Sequence, residues 1–250
     1  MSELSLHPHG DSKALSPKRE MNRLLSLSML FSCLLVAVRI AHTGRLTFIF
    51  LIWNLLLAYI PYFITAYANP FRHEDDRTNP FRHLDGRAGS PWHKSFGGKL
   101  RFGLFFGCWL LFIPNAFYIF TDLFHLNDRF TNRLVPQWYD LVLILSFAWN
   151  GLLLGVLSVR QMEHLLAPIL PKRQKLLFLY PIMWLNALGV YIGRYLRYNS
   201  WDVVTSPLDL FRDIAAMVIH PLRHQYAWDM ILCFSTLLTL IYLILRKIGD

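Results

Sequence analysis

The chain has 250 residues, of which 54% are hydrophobic, 15% aromatic and only 16% charged, with a mean hydropathy of +0.34. Soluble domains carry about 25% charged residues, so this composition excludes a disordered chain, a disulfide scaffold and an ordinary soluble enzyme. It points to an all-α, polytopic membrane protein, and the net charge of +9 reads as basic loops facing anionic lipid headgroups rather than as a nucleic-acid surface.

Residues 1–22 are polar and broken by Pro8, Gly10 and Pro17, the pattern of a disordered tail. Residues 23–250 read as one transmembrane domain. A bilayer core is crossed by roughly 20 mainly apolar residues, and six runs meet that measure: Leu24–Val38, Leu46–Ala66, Phe102–Phe120, Tyr139–Val159, Leu176–Gly193 and Trp228–Leu245. The first also has the look of a signal peptide, with Lys18, Arg19 and Arg23 ahead of it. Its apolar residues continue beyond the Leu30-Phe31-Ser32-Cys33 box, so a retained anchor is expected.

Lys and Arg set the orientation. The tail, the second and fourth connections and the C-terminus hold 17 of the 25, against 8 in the other connections. Both termini are therefore expected in the cytoplasm, with 67–99 as a basic cytoplasmic loop. All seven lysines fall on that side, and every cation of the outer side is Arg. Two readings of this bias stand: interfacial snorkelling, and planar forks suited to carboxylate or phosphate. Within the basic loop, Asn69-Pro70-Phe71-Arg72-His73 recurs as Asn79-Pro80-Phe81-Arg82-His83, and reads as a solvated connector.

In the last connection, Ser206-Pro207 is a helix start, Ser as N-cap and Pro at the first helical position. Leu210, Phe211, Ile214, Ala215 and Val218 follow at helical spacing and Pro221 closes the segment, predicting a short amphipathic helix on the outer surface. Gly-x-x-x-Gly occurs at Gly103/Gly107, Gly151/Gly155 and Gly189/Gly193, spacing that lets helix backbones approach closely. Pro114 and Pro181 fall inside runs and favour kinks. Of four intramembrane amides, Asn54 and Asn186 are expected to join helices, and Asn115 and Asn150 to line an outward cavity.

Ionisable groups meet the run ends on the expected outer face. Asp122 and His125 are three apart, so a helix puts them on one face. Asp140 opens the fourth run. Arg194 and Arg197 close the fifth, followed by Asn199, Trp201 and Asp202. The first reading is catalytic. His125 would be the acid or base, Asp122 or Asp140 would orient it, and Arg194 and Arg197 would hold an anion, with Asn115, Asn150, Asn199, Trp201 and Asp202 around the ligand. The second is structural, with Asp122–Arg194 and Arg197–Asp202 as ion pairs. The Ser-Gly-His segment of membrane phosphatases, a Gly-x-Ser-x-Gly elbow, His-Glu-x-x-His and a P-loop all fail to occur. Cys33, Cys108 and Cys233 lie in apolar runs without metal or disulfide spacing, and no cofactor is implied.

The runs Phe-Ile-Pro-Asn-Ala-Phe-Tyr-Ile-Phe-Thr-Asp-Leu-Phe-His-Leu (112–126), Trp-Tyr-Asp (138–140), Trp-Asn-Gly-Leu-Leu-Leu-Gly (149–155) and Gly-Arg-Tyr-Leu-Arg-Tyr-Asn-Ser-Trp-Asp (193–202) resemble a bacterial family of inner-membrane proteins, the domain-of-unknown-function family 1361, over about residues 45–245. The resemblance implies a multi-pass protein of a bacterial inner membrane. It implies no reaction and no protein partner. The reading that follows is a membrane protein binding an anionic lipid or small ligand at its outer Asp/His/Arg/Asn cluster, or serving in membrane assembly. The alternative is an enzyme for a lipid-linked or phosphate-bearing substrate.

Overall fold

The computed structural model describes residues 17–67, 96–127, 135–166 and 175–248, and every regular element among them is helical. In chain order these are α1 (Pro17–Thr43), α2 (Phe50–Tyr67), α3 (Phe96–Tyr118) running into a 3-10 segment (Ile119–Asn127), and α4 (Gln137–Leu166). Then come α5 (Lys175–Tyr191) running into a π turn (Ile192–Leu196), α6 (Asp202–Thr205), α7 (Pro207–Ile219) and α8 (Gln225–Ile248). Each of the six apolar runs is a helix. Four stretches, Glu20–Thr43, Leu100–Leu126, Gln137–Leu166 and Gln225–Ile248, are long and apolar enough to cross a membrane, whereas α2 is a shorter apolar helix and α5 has 17 residues before its π turn. The chain is a membrane protein, helical throughout its described elements.

α1 begins at Pro17, inside the stretch expected to be a tail. The remainder of that tail, the 69–85 duplication with His73 and His83, and most of the 67–99 loop lie outside the described residues.

The bundle is built around α4, which is buried along most of its length and packs against α1, α2, α3 and the 3-10 segment. Its glycines explain the fit. A Cβ on Gly151 would sit 2.6 Å from the backbone oxygen of Ala116, and one on Gly155 2.7 Å from the Phe117 ring. On α5, a Cβ at Gly189 would meet Pro114 at 2.6 Å. Two of the three Gly-x-x-x-Gly pairs thus form close-approach faces, both directed at α3. The third, Gly103/Gly107 on α3 itself, meets nothing within 4 Å. Gly151→Ala is therefore expected to destabilise by about 1–3 kcal/mol, because a carbonyl cannot yield as a side chain can. Gly103→Ala should melt like the parent. Thermal unfolding in detergent of the two variants checks this contrast.

α7 begins at Pro207 as expected, although Ser206 makes no side-chain cap bond. Only part of its apolar side packs against the bundle. Met217 is buried and Leu210 and Ile214 are half-buried, while Leu208, Phe211, Val218 and Ile219 are exposed. Behind α7, Trp184 of α5 stacks on Trp228 of α8 at 6.1 Å, and the Trp228 indole N–H donates to Met217 O.

Side-chain links show that neighbouring long helices alternate in direction. Arg39, late in α1, meets Asp140, early in α4. Asn54, early in α2, meets Asp122 at the close of α3. At the opposite end, Tyr62 of α2 donates to Asn22 of α1, and Glu163 of α4 pairs with Arg246 of α8. Between the ends, the Trp109 indole N–H donates to Ser158 Oγ at 2.8 Å and Thr65 Oγ1 lies 3.3 Å from the same oxygen, so α2, α3 and α4 share one buried polar contact.

Candidate functional site

Two ionic centres lie at the Asp122 end. The 3-10 geometry of residues 119–127 stacks side chains three apart, which puts Asp122 and His125 on one face. The Asp122 carboxylate is 1% exposed, accepts the Asn54 amide N–H at 2.8 Å on Oδ2, and lies 3.1 Å from Arg194 Nη1 on Oδ1. The π turn carries Arg194 to this point. A π turn inserts a residue and swings the following side chains round the helix. The guanidinium also donates to Thr121 O at 3.0 Å and to Tyr118 Oη at 3.4 Å, and lies 3.3 Å from His125 Nε2. Because Arg has only donors, that last contact is a hydrogen bond when His125 carries its proton on Nδ1.

The second centre is Arg39–Asp140, absent from the sequence reading. Its guanidinium Nε and Nη2 donate to the two carboxylate oxygens at 2.7 and 3.1 Å, with both side chains at most 2% exposed. Arg39 lies over the Phe48 ring at 4.4 Å, and the His125 ring meets Phe50 edge-on at 5.2 Å. Phe48 and Phe50, 6.2 Å apart, stand between the centres. Asp140 therefore does not join His125; it belongs to Arg39.

Beside the first centre is a cavity of about 260 Å³ between α2, α3 and the close of α5. Its polar and aromatic lining includes Trp53, Asn54, Asn115, Tyr118, Tyr198 and Ser200, with Asn199 beside them. Asn115 Nδ2 donates to Phe112 O at 3.0 Å and to Ser200 Oγ at 2.9 Å. Carbonyl and carboxylate acceptors fix which amide atom is nitrogen in both Asn115 and Asn54. The side-chain oxygen of each consequently has no protein partner among the described residues. Arg194 and His125 do not line this space.

The other predicted site residues are placed as follows. Asn150 is fully buried and donates to Ser32 Oγ at 2.9 Å and Ser28 O at 3.2 Å. It joins α4 to α1 and lies away from the cavity, the reverse of its expected role. Asn54, expected as helix glue, both binds Asp122 and lines the cavity. Asn186 turns back to Ile182 O of its own helix. Arg197 does not pair with Asp202. It is exposed, with φ 61° where the π turn ends. Asp202 instead accepts the Asn199 backbone N–H at 2.6 Å and the Thr205 hydroxyl at 3.0 Å, and these bonds hold its carboxyl below the usual range. Trp201 is exposed at the entry to α6. Among the described residues no three His, Cys, Asp or Glu side chains converge as metal ligands.

A family model described as protein of unknown function (DUF1361) matches residues 53–241. The match takes in the cavity and the whole Asp122 centre, and leaves Arg39 outside it. No curated protein and no solved structure matches the chain.

Proposed function

The chain belongs to the DUF1361 family, a family of unknown function, so any role must be argued from its own geometry, and we propose a multi-pass binding component that holds a hydroxyl-bearing, uncharged headgroup in the Asp122-end cavity. The observation that carries this is the pair of unpartnered side-chain oxygens, on Asn54 and Asn115, in a cavity also lined by Trp53 and Tyr118. Acceptors with aromatic faces suit sugar or polyol hydroxyls. They repel an anion, and the guanidinium of Arg194 beside the cavity already has Asp122, Thr121 and Tyr118. Arg194 and His125 lie outside this cavity's lining, which favours the uncharged ligand over an anion clamp or an acid–base role of His125 here.

In this reading all six long helices span the bilayer of a bacterial inner membrane. Completing α5 with its π turn supplies the missing length. The lysine and arginine distribution puts both termini in the cytoplasm, which makes the cavity extracytoplasmic. Its ligand is the head of a glycolipid or a free polyol.

The test is native mass spectrometry of protein extracted in a detergent without a sugar head. Wild type is expected to carry a sugar-bearing adduct. Asn115→Leu removes an acceptor and fills space, and should cut adduct occupancy about tenfold in protein that is still folded. A lipid adduct identifies the glycolipid, and an adduct recovered only after adding free sugar identifies the soluble ligand. A phosphate-bearing adduct, or equal occupancy in the variant, sinks the reading.

A further inference from the structure

The Asp122-end cavity changes character along the helices. Asn54, Tyr118 and Ser200 line it at the level where α2 begins and α3 closes, with Asn115 just below. One turn further into the bundle the lining is Leu57 on α2 and Leu110 and Leu111 on α3. At 1.5 Å of rise per residue, these leucines stand about 4–8 Å deeper than the amide on the same helix. Leucine offers a hydroxyl no partner, and a polyol pressed against it loses water without return. A space that grades from amide oxygens to leucine suits a molecule with a polar head and an apolar stem.

The mouth of the cavity lies toward lipid. Its exposed lining residues mark the rim: Trp53 at 55% and Val203 at 43%, with Asn199. Trp53 lies on the same side of α2 as Leu56 and Phe63, which are exposed as well. A stripe of exposed large apolar residues along an apolar helix is the side that hydrocarbon covers. Across the rim, α7 lends Leu210 to the cavity while its neighbours Leu208 and Phe211 are exposed, the habit of a helix resting among headgroups. The Tyr198 hydroxyl donates to Asp213 Oδ2 at 2.9 Å, which ties α7 to the cavity wall.

We propose that the ligand enters this cavity sideways from the bilayer, as a lipid. Its uncharged, hydroxyl-bearing head meets Asn54 and Asn115, and the first carbons of its chain cross Leu57 and leave between Trp53 and Val203. This rests on the sugar-binding reading of the cavity and narrows it from any polyol to one that carries an alkyl chain.

The experiment compares methyl β-glucoside with octyl β-glucoside, one head without and with a chain. Each is titrated, the octyl compound below its micelle concentration, onto the delipidated full chain in a detergent without a sugar head, and bound copies are counted by native mass spectrometry. Wild type is expected to hold octyl glucoside about tenfold more tightly than methyl glucoside. Leu57→Asn puts an amide under the chain and should bring the octyl affinity down to the methyl value, with methyl glucoside bound as in wild type. A chain adhering elsewhere on the apolar surface would not respond to Leu57. Val203→Asp places a charge at the exposed rim, where a substitution costs little stability, and should act in the same direction. Asn115→Leu, by contrast, should weaken both glucosides alike. Each variant is melted alongside. Equal wild-type affinity for the two glucosides overturns the lateral route and leaves the sugar reading in place. So does a preference that survives Leu57→Asn and Val203→Asp in folded protein. Binding of neither glucoside, or binding indifferent to Asn115→Leu, overturns the sugar reading and this inference with it.

Discussion

Arg39→Ala is expected to lose about 3–5 kcal/mol of folding free energy, the cost of leaving one member of a buried ion pair without its partner. The size follows from geometry. Asp140 is 1% exposed and receives two parallel N–H donors from Arg39 at 2.7 and 3.1 Å, so the variant strands a carboxylate that water cannot reach. The Phe48 ring loses its cation as well. Arg39→Lys keeps a charge but not the fork, and should fall between the two. The informative comparison is Arg39→Met with Asp140→Leu. Replacing both charges by apolar groups of similar size removes the desolvation burden, and such swaps are often neutral or stabilising. Equilibrium unfolding in mixed micelles is expected to place the double variant within about 1 kcal/mol of wild type and both single variants far below. Single variants costing under about 1 kcal/mol would mean that the pair is solvated as an exposed bridge is.

A pair with that energetic signature contributes register more than net stability. Arg39 is near the close of α1 and Asp140 at the start of α4. Two further contacts fix the same two helices, Tyr139 donating to Leu35 O and Asn150 donating to Ser32. The three form a ladder along one helix pair, and the ion pair is its end rung. α1 buries little of its length and exposes Leu24, Leu27, Leu30 and Leu34. Between apolar helices in lipid there is no hydrophobic drive to associate, so polar rungs of this kind decide where α1 sits.

How much of this was readable in advance follows from the range of each interaction. The helices were, because 20-residue apolar runs in hydrocarbon have few alternatives. The Asp122–His125 alignment was, because three-residue spacing is local in any helix. Arg39–Asp140 was not. Its partners are 101 positions apart, and the same end of the bundle offers other Arg and Asp residues at similar depth. Asn150 joins helices where a cavity role was expected, and Asn54 joins helices as expected while also lining the cavity, for a related reason. Composition says that an intramembrane amide must be satisfied, whereas helix rotation says by whom, and that rotation is set by close contacts such as Gly151 on Ala116. The unused Gly103/Gly107 pair shows the limit of the motif itself: small residues permit approach, and only a facing helix uses them.

Arg194→Ala is the second large effect, and what it does to the bound adduct matters more than its cost. The cost is expected near 3 kcal/mol, toward the lower edge for buried pairs, because Asp122 keeps the Asn54 amide when the guanidinium goes. Asp122→Ala should cost less. Arg194 is 14% exposed and retains Thr121 O and Tyr118 Oη, so its charge is not stranded to the same degree. A double-mutant cycle is expected to give a coupling of about 1–3 kcal/mol, since the groups are in contact and share partners. The readings of this end of the molecule then separate. A guanidinium that clamps an anionic ligand loses that ligand when truncated, even in protein that is fully folded. A guanidinium that braces the cavity wall through Asp122 and Asn54 changes the melting temperature first. Below the lowered transition, Arg194→Ala is therefore expected to keep its sugar-bearing adduct while Asn115→Leu, compared below its own transition, does not. The opposite pattern would return Arg194 to the ligand and leave the two asparagine oxygens with no role in binding.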